Sequence, residues 1–328
     1  MRTETTYLVA RDGKQLFVRA WLPEGVIPFA SSTGQAGASP AATDQPRAVI
    51  QLAHGMAEHS ARYERFATQA TQAGYVIVAD DHRGHGGTIA SADERGHTHD
   101  VEGWELVLSD LSVVREAIDA AWPEAPVVLF GHSWGSMLVR GWVASQGERS
   151  RLAGLIAMGT MASPGLLGPI GMRLAQAEAR LSGPRHPSAL LEKQAFAANN
   201  KPFAPVRTDY DWLSRDEVEV DRYIADPLSG QRCTAAFYRD LTHGAMEVNR
   251  PQAFAAVPKD LPVLVISGDQ DPVGGMGRGV RQVATDLRRA GVRDVTLRLY
   301  PGARHELLNE VNREEVTADL MRWIGQRV

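Results

Sequence analysis

Gly131-His132-Ser133-Trp134-Gly135 sets a serine between two glycines. It stands directly after the apolar run Val127-Val128-Leu129-Phe130 and directly before a helical pattern. A sharp turn from strand to helix lifts a serine oxygen above the sheet edge, and flanking glycines let the backbone close in. The helix N-terminus then aims free N–H groups and positive dipole at that oxygen. The chemistry this suits is nucleophilic attack. A serine hydroxyl is a weak nucleophile until a base takes its proton, so a histidine and an acid to orient it are required.

His305 is the expected base. It lies in Tyr300-Pro301-Gly302-Ala303-Arg304-His305-Glu306, a Pro-Gly loop after the strand-like run Val295–Tyr300. Imidazole titrates near neutral pH and can both take and return a proton. The acid should come from Ser267-Gly268-Asp269-Gln270-Asp271-Pro272, which follows the apolar run Val263-Leu264-Val265-Ile266. Two carboxylates compete there. Asp269 comes first and could simply brace the turn; Asp271, just before Pro272, reaches further out and is the favoured acid. The oxyanion of the attacked carbonyl needs two N–H donors. The residue after the nucleophile, Trp134, supplies one. Met56, in the His54-Gly55-Met56-Ala57-Glu58 loop after an early strand, supplies the other.

Other reactive side chains read more plainly. Cys233 is the only cysteine and reads as a small buried hydrophobe. His97-Thr98-His99-Asp100 could put two ligands on one face of an extended segment, but no second cluster at ligand spacing accompanies it. No metal is expected. His82 and His85 organise a loop, and His54 and His132 pack behind the nucleophile.

The elements that must carry these residues follow from periodicity. Two strand-like runs, Tyr7–Ala10 and Leu16–Trp21, flank Arg11-Asp12-Gly13-Lys14, a hairpin signal. Residues 29–46, rich in Ala, Ser, Gly, Thr and Pro, read as a flexible insertion. Beyond it, short apolar strands at 48–53, 75–79, 127–130, 152–158, 263–266 and 295–300 alternate with helices near 61–73, 101–121, 133–145, 279–290 and 313–325. Strands apolar throughout and alternating with helices indicate a mostly parallel sheet covered on both faces. The alternation breaks at 163–257, a helical, proline-punctuated stretch read as a cap. The expected organisation is a core from 1–162, the cap, and a second core part from 258–328.

Composition sets the outer limits. Of 328 residues, 44% are apolar and 23% charged, with a net charge of −4. That balance offers no basic surplus for nucleic acid. The first twenty residues carry scattered charges and no apolar signal core, and no run approaches a membrane span. A cytoplasmic protein is expected.

His54-Gly55-Met56-Ala57-Glu58-His59-Ser60-Ala61-Arg62-Tyr63, Asp81-His82-Arg83-Gly84-His85-Gly86 and Gly131–Gly135 together resemble the monoacylglycerol lipase and lysophospholipase-like branch of the α/β-hydrolases, often grouped with serine aminopeptidases. Asp209–Asp216, Asp226-Pro227-Leu228, Gly268–Gly274 and Ala303–Glu310 are similar to bacterial members. The resemblance covers nearly the whole chain outside 29–46. It implies an α/β-hydrolase fold with an inserted helical cap, and a Ser-His-Asp esterase forming an acyl-enzyme. The implied substrate is a small ester or lipid, most specifically a monoacylglycerol or lysophospholipid, and no cofactor is implied. The family's acid matches Asp271, and its oxyanion donors match Met56 and Trp134. Trp134 is a departure, since Met is commoner there. A bulky indole could narrow the acyl side of the pocket.

The cap should choose the substrate. Leu166, Leu167, Ile170, Met172 and Leu174 could line an acyl channel, touch a membrane surface, or only bury the cap on the core. An aminopeptidase or amidase with the same triad would need a cap-borne acidic cluster; Glu217, Glu219 and Asp221 are the candidates. A third reading is a ligand-binding receptor on a hydrolase fold.

Overall fold

A computed structural model describes residues 1–29, 45–196 and 198–328. The insertion expected at 29–46 lies, apart from its ends, outside the described residues. Asp12 and Gly13 turn the chain between β1 (Arg2–Val9) and β2 (Gln15–Leu22), with Gly13 at φ 89°. A side chain rarely tolerates that angle. The sheet continues with β3 (Ala48–Ala53), β4 (Tyr75–Asp80), β5 (Val127–His132), β6 (Gly154–Met158), β7 (Val263–Gly268) and β8 (Val295–Tyr300). Its order is β1-β2-β4-β3-β5-β6-β7-β8. The pairings β1–β2 and β2–β4 are antiparallel, and every later pairing is parallel.

Parallel neighbours need crossovers, and helices supply them. They are α1 (Glu64–Gln72), α2 (Gly103–Ala121), α3 (Trp134–Gln146) and α9 (Arg278–Arg289), with α10 (Arg313–Gly325) closing the chain. Alternate strand residues face opposite layers. Ile50, Leu52, Phe130 and Ile266 pack with Phe66 of α1 and Leu320 and Trp323 of α10. On the other face Leu129, Leu155, Val263 and Val265 pack with α2, α3 and α9. This is the mostly parallel sheet covered on both faces that the strand and helix rhythm predicts.

Between β6 and β7 stand α4 (Leu167–Ser182), α5 (Ala189–Phe196), α6 (Glu217–Ala225), α7 (Ala235–Glu247) and α8 (Pro251–Ala256). A 3-10 turn at Asp211–Leu213 lies among them. None of the described helices is long and apolar enough to cross a membrane. The C-terminal ends of β3, β5, β7 and β8 share one edge of the sheet, so the loops after them converge. Open α/β sheets bind ligands beyond that edge.

Candidate active site

Ser133 is the one residue between β5 and α3, at φ 54° and ψ −120°. For a residue with a Cβ that backbone is strained, a condition that persists where the surroundings enforce it. They do so here. The Ser133 N–H is held by the Met158 carbonyl at 2.9 Å. A Cβ on Gly131 would run into the Gly135 carbonyl, and one on Gly135 into the Ala53 carbonyl. Both glycines are therefore demanded by close backbone approach, and the second lets α3 start against the end of β3.

Asp271 and His305 come together from the ends of β7 and β8. His305 Nδ1 lies 3.0 Å from Asp271 Oδ1, with both side chains buried. Asp271 is fixed in turn. Its Oδ2 accepts from Ser267 Oγ at 2.7 Å, and its Oδ1 from the Val273 N–H at 2.9 Å. Asp269 has the other role weighed for it: its Oδ1 accepts from the Gly302 N–H at 2.8 Å, bracing the two loops. The His305 ring stands 4.8 Å from the His132 ring. A Cβ on Gly159 would sit 3.1 Å from His305 Cε1, so glycine makes room for the imidazole.

In the loop after β3 the Met56 amide is left unclaimed while its neighbours on either side are held. The Gly55 N–H goes to Glu58 Oε1 at 2.5 Å, and the Gly55 carbonyl accepts from His54 Nδ1 at 2.7 Å. The Ala57 N–H goes to His85 Nε2 at 3.0 Å. Because the Gly55–Met56 peptide is trans, pinning its carbonyl to His54 aims the Met56 N–H the opposite way. Among the described residues neither the Met56 nor the Trp134 N–H has an acceptor. A Cβ on Gly55 would come within 3.2 Å of Ser133 Cβ, so this loop closes on the serine. These contacts also fix tautomers. His54 donates through Nδ1 and accepts the His82 N–H at Nε2, 3.0 Å away. His85 donates to the Arg83 carbonyl through Nδ1. Both rings must be neutral to do this. Burial, joined by His82 and His85, holds His54 well below its ordinary value, and burial pushes His85 down to about 4.

A buried network missed in the sequence binds these loops together. Glu58 Oε1 also meets the Tyr63 hydroxyl at 2.9 Å and His132 Nδ1 at 3.0 Å. Arg62 bridges Glu58 Oε2 at 2.8 Å to both Glu306 oxygens at 2.7 Å. A carboxylate in the loop after β3 and a carboxylate beside His305 thus share one guanidinium, and the first of them also holds the histidine beside Ser133. Burial favours the neutral acid at Glu58, but His132 and Arg62 keep its pKa well below the usual range. The i,i+4 spacing of Glu58 and Arg62 was a visible signal; the partner 244 residues on was not.

Burial alone would lower the His305 pKa, but the charge and hydrogen bond of Asp271, with Glu306 and Glu58 behind them, raise it above its ordinary 6.5. A raised pKa means protonated His305 favours the fold at low pH, a contribution lost as pH rises through the folded-state value. A base must be neutral, so activity runs the other way. The acidic limb of kcat/KM on a neutral ester is expected to have its midpoint above 6.5, the ordinary imidazole value. Asp271→Asn should move that midpoint down. A pH–rate profile of both proteins checks this, and a wild-type midpoint below the ordinary value would contradict it.

The remaining candidates are spread out. His97 is buried and lies 3.1 Å from Thr234 Oγ1, whereas His99 is half-buried and turns to the Val101 carbonyl. No metal-holding group occurs among the described residues. Glu219 is taken by Arg65 and Arg222, and Asp221 by Arg207. Trp134 is buried against His82, His85 and Phe237, 4.8 Å from the last ring. Leu166, Leu167 and Ile170 are largely solvent-exposed, at 89%, 74% and 62%, while Met172 and Leu174 are half-buried.

The sequence model of a family described as "Serine aminopeptidase, S33" matches residues 44–312. A monoacylglycerol lipase of Mycolicibacterium smegmatis is 33% identical over 285 residues, covering 85% of this chain and 88% of that one. A monoglyceride lipase of Homo sapiens is 28% identical, covering 98% of this chain and 90% of that one. Among solved structures, a thermostable carboxyl esterase from Bacillus coagulans in complex with glycerol superposes with a TM-score of 0.86. It is 26% identical and covers 100% of this chain and 99% of that one.

Proposed function

Since the chain belongs to the serine aminopeptidase, S33, family of α/β-hydrolases, we propose that it cleaves carboxylic esters of lipids, monoacylglycerols or lysophospholipids first, through Ser133, His305 and Asp271. The observation that carries this reading is the buried His305–Asp271 pair, 3.0 Å apart, at the same sheet edge as a strained Ser133. His305 takes the Ser133 proton as the oxygen attacks the ester carbonyl. Asp271 holds the imidazole in one tautomer and stabilises its charged form. The Met56 and Trp134 amides receive the oxyanion, and because their loops are already fixed, little reorganisation accompanies the charge. His305 then protonates the leaving alcohol. A water attacks the acyl-enzyme by the same route and releases the acid.

The names of the relatives support a monoacylglycerol-like substrate, and so does the cap. Leu166, Leu167 and Ile170 form an exposed apolar end on α4, suited to transient contact with a lipid surface. Replacing all three by Ser should lower turnover of an emulsified long-chain monoacylglycerol several-fold and leave a soluble nitrophenyl acetate unaffected. Equal loss on both substrates would argue against surface contact. The amine-binding alternative has less support, because arginines occupy Glu219 and Asp221. The reading as a whole is tested by turnover of nitrophenyl esters of rising chain length, a monoacylglycerol, a lysophospholipid and an aminoacyl anilide. Preference for the anilide would overturn the ester assignment.

A further inference from the structure

The turn Asp211–Leu213 belongs to the insertion between β6 and β7, yet it is fastened to the loop that carries His305. The Glu306 N–H donates to the Leu213 carbonyl at 2.8 Å. Arg304 Nη1 donates to the Asp211 carbonyl at 2.5 Å and to the Ser214 carbonyl at 3.2 Å. Ser214 Oγ donates to the Asn309 carbonyl at 2.8 Å. The fully buried Glu310 closes the joint. Its Oε1 accepts the N–H groups of Arg304 at 2.8 Å and Arg215 at 3.1 Å, and its Oε2 accepts Arg215 Nε at 2.9 Å. One carboxylate therefore holds backbone from both segments. Arg313 adds a 2.8 Å bond to Asp216.

This joint delivers one ring to the imidazole. Trp212 is 7% exposed, and its ring lies 5.1 Å from that of His305 at 40°. Phe196 of α5 stacks on Trp212 at 5.7 Å, and the Asn200 side chain accepts the Trp212 N–H at 2.8 Å. The indole thus packs on Phe196 of the insertion, in a cluster that Val273 of the loop after β7 joins. His305 also meets the His132 ring at 4.8 Å and has the Asp271 carboxylate at Nδ1. Among the described residues its Nε2 has no hydrogen-bond partner.

We propose that Trp212 is a positioning residue for His305: the Asp211–Asp216 segment is a fixed clamp that sets the imidazole plane and keeps water off it. This rests on the reading of His305 as the base. Any cap motion that admits substrate must then occur elsewhere in the insertion, because opening at Trp212 would also release the catalytic histidine.

The clamp separates from a substrate-binding role by where the loss appears. For Trp212→Ala assayed on nitrophenyl acetate, kcat should fall about 10- to 100-fold, the scale of a misplaced catalytic group, with KM nearly unchanged. Inactivation by diisopropyl fluorophosphate should slow by the same factor, because that reaction also needs His305 to take the Ser133 proton. Trp212→Phe keeps an aromatic face and should recover most of the rate. If Trp212→Ala does not fold, Trp212→Leu keeps much of the volume without the planar ring and should show the same kcat loss. A rise in KM with kcat and inactivation rate intact would overturn the clamp, and so would a Phe variant as slow as the Ala variant. His305→Ala measured alongside isolates the premise: an unchanged inactivation rate there would mean the base assignment itself has failed.

Discussion

Ser133→Ala is expected to lower turnover of a short-chain nitrophenyl ester by about four to six orders of magnitude. The residue is not a packing residue whose loss would unfold the chain. It sits half-buried in a turn whose backbone contacts, to Met158 and between glycines, do not involve its hydroxyl. Removing the oxygen should therefore leave the fold intact and even relieve nothing but the nucleophile, since Ala meets the same strained φ. Two measurements settle the point: steady-state hydrolysis, and covalent labelling by a fluorophosphonate. Wild type should label at Ser133 and the variant not at all. Substantial residual hydrolysis would remove the central assignment. A folded wild type that does not label would favour a ligand-binding protein on a hydrolase scaffold.

The second large effect separates two carboxylates two residues apart. Asp271→Asn should reduce kcat by about 10⁴-fold, because an amide at that position favours the wrong imidazole tautomer. Asp269→Asn should cost only a few-fold in kcat, with a modest loss of stability, because its contacts are to the Gly302 N–H and the Gln270 side chain. The environment supports this ordering. Burial favours a neutral acid at Asp271, yet His305, Ser267 and the Val273 N–H outweigh it and hold the carboxyl below the usual range. A depressed pKa contributes stability above the unfolded-state value that is lost as pH falls through the folded one. Asp271→Asn should therefore flatten the acid limb of the stability curve as well as slow the reaction. Similar kcat losses for the two variants would undo the assignment.

What the sequence determined by itself is local or ordinal. Strands buried on both faces read as apolar runs, and glycines forced by backbone approach read as Gly131 and Gly135 around Ser133. The chain order Ser133, Asp271, His305 then follows the strand ends, because β5, β7 and β8 all finish at one edge. Asp269 and Asp271 could be told apart only as a preference, because both lie just past the same strand. Side-chain direction distinguishes their contacts: among the two, Asp271 meets His305, held by Ser267 and Val273. The tertiary structure alone decided the contacts with no period or spacing to announce them. Arg62 reaches Glu306, 244 residues away, and Trp212 reaches His305 from within the inserted helices. Such contacts join residues that are neighbours only after the sheet has formed. A sequence records each partner's type but not the closure of the chain that brings them together, so the residues proposed to do the chemistry were legible and most of those that hold them in place were not.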